Sequence, residues 1–316
     1  MKCNHLIVNG LLLLYVIWTV SCKSYNENQL SKETSTRGDI KIAVDESYKL
    51  LADSQIATFT SLYKYAHVTS INASEDSVLS LFLADSVRLM ITSRKLSANE
   101  ESYLKDKLVN PRTTHIAWDG IAFLVNKANP DSFIRYTDLK EILSNSTNSW
   151  KKINPSSKLG SIKVVFDNQG SGNVRYLMQK FNIATLPDYC YAANSNPAVI
   201  DYVEKNPEAL GIISVNWISD PDDSITHAFL KRVRVLGITS EFYSEGDEYY
   251  TPHPAYIADK SYPFIREIYA ISRETFTGLG SGFIQFVAGD QGQRIVLKSG
   301  MVPATMPVRL VHIKSQ

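Results

Sequence analysis

A serine at the start of a helix can cap the helix, or it can offer its hydroxyl, beside free backbone N–H groups, to an anion. The segment "FDNQGSGNVRYL", residues 166–177, sets a Gly-Ser-Gly turn between the apolar run "SIKVVF" and a stretch with helical spacing. Three other segments have the same form: "VDESY" at 44–48, "NASEDS" at 72–77 and "ITSRK" at 91–95. Together they place Ser47, Ser74, Ser93 and Ser171 at or near helix starts. Any one of them is explained by capping or by a common turn. Four in one chain say more together than any one of them, since ligands in α/β sheets sit where helix N-termini point unsatisfied N–H groups outward. Against that stand the acids in the same turns: Asp45, Glu46, Glu75 and Asp167.

Catalytic readings find less support. "QGSGN" lacks the glycine two places before the serine that a nucleophile elbow requires. No H-E-x-x-H occurs, and the six histidines, at 5, 67, 115, 227, 253 and 312, are scattered. No catalytic residue, metal site or cofactor is expected. Nucleic acid is excluded as a partner by charge: 33 Lys+Arg face 32 Asp+Glu, with no basic stripe to meet a phosphate backbone.

The first residues, "MKCNHLIVNGLLLLYVIWTVSCKS", carry Lys2, then an apolar run too short for the roughly 20 residues of a spanning helix, then a small-residue exit. "Thr19-Val20-Ser21-Cys22" resembles a bacterial lipobox. That resemblance implies a signal peptide over 1–21, cleavage before Cys22, lipid on its sulfur, and a body outside the cytoplasm, anchored to the cell envelope. An uncleaved anchor or plain secretory signal is the alternative. Residues 22–38 are polar and read as a tether. Of three cysteines, only Cys190 then remains in the body, where it is expected as a buried apolar residue.

From Asp39 onward, short apolar strands alternate with helical stretches, which makes the fold α/β, with mainly parallel sheets flanked by helices. "DIKIAV", "AHVTSINA", "VRLMIT", "HIAWDGIAFLVN", "SIKVVF" and "ALGIISV" read as strands. "ESYKLLADSQIATFTSLY", "SEDSVLSLFLAD", "SANEESYLKDKL", "TDLKEILS" and "GNVRYLMQKF" read as helices. In such sheets ligands lie beyond the carboxyl ends of strands. A tyrosine cluster at 243, 249, 250, 256, 262 and 269 is either connector packing or a partner surface.

The order "HIAWDGIAFLVNKANP", "TDLKEILSNSTNSW", "IKVVFDNQGSGN", "NPEALGIISV", "SYPFIREIYAIS" and "GFIQFVAGDQGQRIVLKSGMVPA" resembles the phosphate-binding, PstS-like branch of the periplasmic solute-binding proteins. The resemblance implies a two-lobed clamshell that traps one solute for an ABC-type permease. One lobe would take 39–115 plus 255–316, the other 116–254. Ser47, Ser74, Ser93, Arg94, Ser171, Gly172 and Asn173 would then touch the ligand. The chain also departs from the family, which carries Arg where Asp167 stands and Thr where Asn173 stands. Two like charges about 4 Å apart repel by roughly 4 kcal/mol at an effective dielectric near 20, whereas a helix N-terminus returns about 0.3 to 2 kcal/mol. Either Arg94 and Arg175 supply the missing positive charge and an oxyanion such as phosphate binds, or tight phosphate binding is lost. In the second case the module serves another ligand or an envelope protein complex.

Overall fold

A computed structural model describes residues 33–242 and 248–307. The signal segment 1–21, Cys22, Tyr243 and most of the tether lie outside the described residues. Among the described residues no helix is long and apolar enough to cross a membrane.

Among the described residues thirteen strands run in chain order as β1 (Arg37–Asp45), β2 (Tyr65–Ala73), β3 (Leu89–Thr92), β4 (Arg112–Asn126), β5 (Phe133–Ile134), β6 (Lys163–Phe166), β7 (Cys190–Ala192), β8 (Ala209–Ser214), β9 (Val233–Val235), β10 (Gly237–Thr239), β11 (Tyr249–Tyr250), β12 (Ile265–Ser272) and β13 (Val302–Pro303). The helices that matter for the site are α1 (Lys49–Leu62), α2 (Glu75–Leu83), α3 (Ala98–Asp106), α4 (Gly172–Phe181) and α5 (Asn196–Lys205). A 3-10 turn, Glu46–Tyr48, leads into α1.

The main sheet has the order β2-β1-β3-β12-β4-β8-β6-β7, with β9 and β13 also on β4. Its ends are parallel, β1 with β2 and β3 on one side and β6 with β7 and β8 on the other. Its middle is antiparallel, which the alternation of strands and helices does not reveal. The cause is β4: residues 112–120 pair with β12 and residues 121–125 with β8, so one strand serves both ends. The molecule thus has a β1 half and a β6 half joined through β4 and β12. A second sheet, β11-β10-β5, is small.

The strand ends agree with the apolar runs to within a few residues. The tether's end does not: β1 begins at Arg37, because Arg37 and Gly38 pair with Tyr65 and Ala66, and the Arg37 guanidinium lies 5.5 Å over the Tyr65 ring. Cys190 is half-buried rather than buried, being on the end strand β7. Its surroundings still push the thiol up to about 12, so it is no ready nucleophile. Tyr262 belongs to the core, and its hydroxyl donates to the Ile121 carbonyl oxygen at 2.5 Å, which supports the packing reading for that residue.

Each half has its own core. Ile42, Val44, Leu51, Phe59, Leu89 and Phe283 pack in the β1 half, and Phe123, Val164, Leu177, Phe181, Ile212 and Phe264 in the β6 half. Phe123, on β4, is fully buried with its ring 5.0 Å from that of Phe264. Phe123→Ala should therefore cost about 3–5 kcal/mol in urea unfolding. A loss below about 1 kcal/mol would show that the junction tolerates a cavity there.

Candidate functional site

The register of the sheet brings the four serine turns toward one place. Asp45 is level with Ala73, and Val44 with Ile91, so β1, β2 and β3 end on one edge and their turns follow from it. In the other half Phe166 is level with Ala192 and Ile212, so Asp167 and the turns after β7 and β8 share an edge as well. Helix N-termini follow these edges, with unsatisfied N–H groups.

Two of the four serines are caps. Ser74 accepts from the Ser77 amide at 3.4 Å and Ser171 from the Asn173 and Val174 amides at 3.1 and 3.4 Å. Ser171 also donates its hydroxyl to Asp167 Oδ1. The third, Ser93, donates to Glu75 Oε1 at 2.6 Å. The Ser47 hydroxyl is buried and has no hydrogen-bond partner among the described residues, while the Ser47 amide donates to Asp45 Oδ1 at 3.0 Å.

The two halves meet directly across this seam. Glu75, at the start of α2, receives the Arg175 guanidinium of α4 through Nε and, at 3.2 Å, through Nη2. Glu46 accepts from the amide and side chain of Asn196 at the start of α5. The Leu51 amide donates to Asn216 Oδ1 at 3.2 Å. Gly172 is so close to the β1 half that a Cβ there would stand 2.8 Å from Asp45 Oδ2, 2.9 Å from Ser93 Oγ and 3.0 Å from Glu75 Oε1. A side chain at 172 would push the halves apart.

Arg94 is not brought to this set. Its guanidinium forms a bidentate pair with Glu100, at 2.9 and 2.7 Å, and donates to the Lys95 carbonyl oxygen. Glu100 is also the reciprocal partner in the Ser97 capping box of α3, so local helix-start chemistry takes the arginine. Besides Arg175, the cation amid the acids is Arg266 of β12. It faces Asp119 of β4 in register and bonds its Oδ2 through Nη2 at 2.5 Å, with both side chains almost wholly buried. Ser214 Oγ donates to the same Asp119 oxygen at 3.0 Å. Arg266 Nε and Nη1, Tyr48 OH, Asp45 Oδ2, Asp119 Oδ1 and Asn173 Oδ1 are buried with no hydrogen-bond partner among the described residues. Arg266 and Asp119 escape a reading of motifs. Their one signal is a charged residue inside an otherwise apolar strand run, where an unpaired charge would be costly.

Burial pushes the acids of the seam apart in character. Asp45 rises to about 8, first through burial, then through the charges of Glu75 and Asp167. Glu46 rises to about 7, again mainly through burial, against the hydrogen bond from Asn196. Burial also raises Asp167, although Ser171 and Asn173 donate to it. Glu75 goes the other way: burial pushes it up, but Arg175, Ser93 and Thr92 outweigh that and hold it below the usual range. Arg266 is lowered by burial and raised more by Tyr48 and Asp119, so it stays charged. Chemically, the set offers unpartnered donors from Arg266, Ser47 and Tyr48, unpartnered acceptors from Asp119 and Asn173, and at Asp45 a carboxyl oxygen able to hold a proton. That mixture suits a small oxygen-rich solute that both accepts and donates. Among the described residues, no group of three or more His, Cys, Asp or Glu is arranged to hold a metal ion.

The PBP superfamily domain matches residues 31–291. The chain belongs to the PBP superfamily. Among curated relatives of this superfamily member, the phosphate-binding protein PstS of Staphylococcus saprophyticus is 28% identical over 221 residues, covering 67% of this chain and 64% of that one. The PstS of Staphylococcus epidermidis RP62A is 25% identical over 241 residues, covering 73% and 68%. The chain thus spans 64% and 68% of the length of these relatives. A putative phosphate ABC transporter substrate-binding protein with bound phosphate from Clostridium perfringens superposes with a TM-score of 0.70 at 20% identity, covering 84% of this chain and 100% of that one. An ABC-type phosphate transport receptor from Vibrio cholerae gives 0.63 at 19% identity, with the same two coverages. These likenesses show the two-lobed binding-protein fold.

The raised acids make stability depend on pH in a known direction. Asp45 keeps a proton in the folded state that the unfolded chain releases above its ordinary 3.8. Its stabilising contribution is therefore full below that value and lost as pH rises through about 8. Glu46 acts likewise between 4.5 and about 7. Glu75 and Glu100 contribute stability above 4.5 and lose it as pH falls, for Glu100 through about 2. Between about pH 5 and 8 only the first kind changes, so thermal unfolding should show Tm falling as pH rises across that window. Asp45→Asn should flatten the slope; an equal slope in that variant would place the titration elsewhere.

Proposed function

We propose that this chain is an extracytoplasmic solute-binding protein that captures phosphate or a related small oxyanion between its two lobes and presents it to an ABC-type permease. The observation that carries this reading is the seam itself, where helix starts from both halves converge on buried donors with no hydrogen-bond partner among the described residues, Arg266 Nε and Nη1 and the hydroxyls of Ser47 and Tyr48. The names of the Staphylococcus relatives and of the Clostridium perfringens structure with bound phosphate support the choice of ligand. Superfamily membership supports a binder rather than an enzyme.

In this reading the lobes comprise 39–115 plus 255–316 and 116–254, and they open about the crossing strands. Ser47, Ser93, Gly172 and Asn173 line the site with Ser171 and Ser74 shaping its turns, and Arg266, not Arg94, supplies the charge. Asp45 in its protonated form donates to the anion instead of repelling it, which weakens the electrostatic objection at neutral pH. Asp119 and Asn173 accept from a protonated oxygen of the ligand. Sulfate, fully ionised at neutral pH, has no such donor, and leaving buried acceptors unpaired costs about 1–3 kcal/mol each. After cleavage of the signal segment 1–21, lipid on Cys22 would anchor the body to the cell envelope outside the cytoplasm. The acid cluster favours one second reading, a divergent module that has lost tight phosphate binding and serves another ligand or an envelope complex.

Titration calorimetry with phosphate and sulfate decides between them. Phosphate should bind the wild type in preference to sulfate, and more weakly as pH rises through about 8, where Asp45 ionises. Asp167→Asn keeps the hydrogen bond to Ser171 and removes the charge; it should tighten phosphate by about tenfold, or 1.4 kcal/mol. Arg266→Lys keeps the charge and loses the fork, and should weaken binding by a similar factor. If no oxyanion binds either wild type or Asp167→Asn, the capture reading fails and the second reading stands. Mass spectrometry of the native protein should find an acylated Cys22 at its N-terminus; an unmodified Cys22 would remove the anchor.

A further inference from the structure

Glu75 takes up the donor set that an oxyanion would need. Its Oε1 accepts from Thr92 Oγ1 at 2.9 Å, from the Ser93 amide at 3.2 Å, from Ser93 Oγ at 2.6 Å and from Arg175 Nη2 at 3.2 Å, and its Oε2 accepts from Arg175 Nε. A guanidinium fork, two hydroxyls and a backbone N–H are the usual partners of a bound carboxylate or phosphate. The carboxylate they hold here is the protein's own, almost fully buried, and it comes from the β1 half, while its arginine comes from the β6 half. The contact is tight enough that Gly172 leaves no space for a Cβ against Glu75 and Ser93.

We propose that Glu75 is a built-in stand-in for the anionic ligand: it saturates the Thr92, Ser93 and Arg175 donors, latches the two halves together without solute, and sets affinity because an incoming oxyanion must displace it. This rests on the reading of the seam as an oxyanion site. The consequence is a tax on binding. If only a small fraction of molecules has Glu75 released, the apparent dissociation constant is the intrinsic one divided by that fraction. The latch also sets selectivity, since a solute must satisfy the released donors at least as well as a carboxylate does, which favours a charged oxyanion over a neutral sugar or amide.

The test uses the purified protein, its Glu75→Gln, Glu75→Ala and Arg175→Gln variants, small-angle scattering and calorimetry with inorganic phosphate. Circular dichroism and a cooperative melt confirm that each variant is folded. Without phosphate, Glu75→Ala and Arg175→Gln should be more expanded than wild type. Glu75→Gln should bind phosphate at least tenfold more tightly than wild type, whereas Arg175→Gln, which opens the latch but removes a donor, should bind no more tightly. That opposition separates a stand-in from a merely structural ion pair, whose loss would move both variants alike. Unchanged scattering in both opened variants overturns the latch. Phosphate binding by wild type that Glu75→Gln does not improve overturns the stand-in while leaving the oxyanion site intact. If no variant binds phosphate, the oxyanion reading falls and the stand-in falls with it; the scattering then reports on the latch alone.

Discussion

Asp119 and Arg266 lie opposite each other on the two strands that join the halves, and the geometry of the seam depends on that pair. Taking two charges out of water costs several kcal/mol for each ion, offset only when they meet at close range with their remaining groups satisfied. Here the same Asp119 oxygen also accepts from Ser214, so β4, β12 and the end of β8 are tied at one point. Among the described residues the pair leaves Arg266 Nε and Nη1 without a hydrogen-bond partner, whereas buried polar groups in folded proteins are as a rule bonded. Tyr48, after the first serine turn, has its ring 5.5 Å from the same guanidinium. Moving this pair would move the strand crossing, the first turn and the free donors together.

Around it, the acids show that a buried carboxyl is tolerated in two ways. Glu75 has a guanidinium and several other donors, and it remains charged. Asp45 has one backbone amide and two acidic neighbours, so burial favours its protonated form. The difference lies in partners rather than in depth, since both are almost inaccessible. The charge of the seam near neutral pH therefore does not follow from counting Asp and Glu. A protonated carboxyl is also a hydrogen-bond donor, and that changes what an acid-rich site can hold.

At 19–20% identity to the solved structures the likeness is one of fold, and in this chain that fold sets parallel strands ending on shared edges, with helix starts beyond them. That framework supplies amides whatever side chains surround it. The decoration can then vary, and here the turns carry Asp45, Glu75 and Asp167, with a compensating cation arriving from β12 rather than from the turns.

The sequence by itself determined the α/β class, the strand runs to within a few residues, the four serine helix starts and the family resemblance, because apolar periodicity and capping are local, set by neighbours within a turn or a pleat. It did not determine that β4 would serve both ends of the sheet, since pairing of "HIAWDG" with one partner and "IAFLV" with another is a long-range choice. Which arginine meets which acid was equally hidden. Arg94 looked like the ligand's cation from its place in a turn, yet Glu100, six residues on, takes its guanidinium. Arg175 and Glu75 meet across 100 residues, and Arg266 and Asp119 across 147. Electrostatic partners of this kind are selected by distance in space and by desolvation, and neither quantity exists until the two halves of the chain are packed against each other.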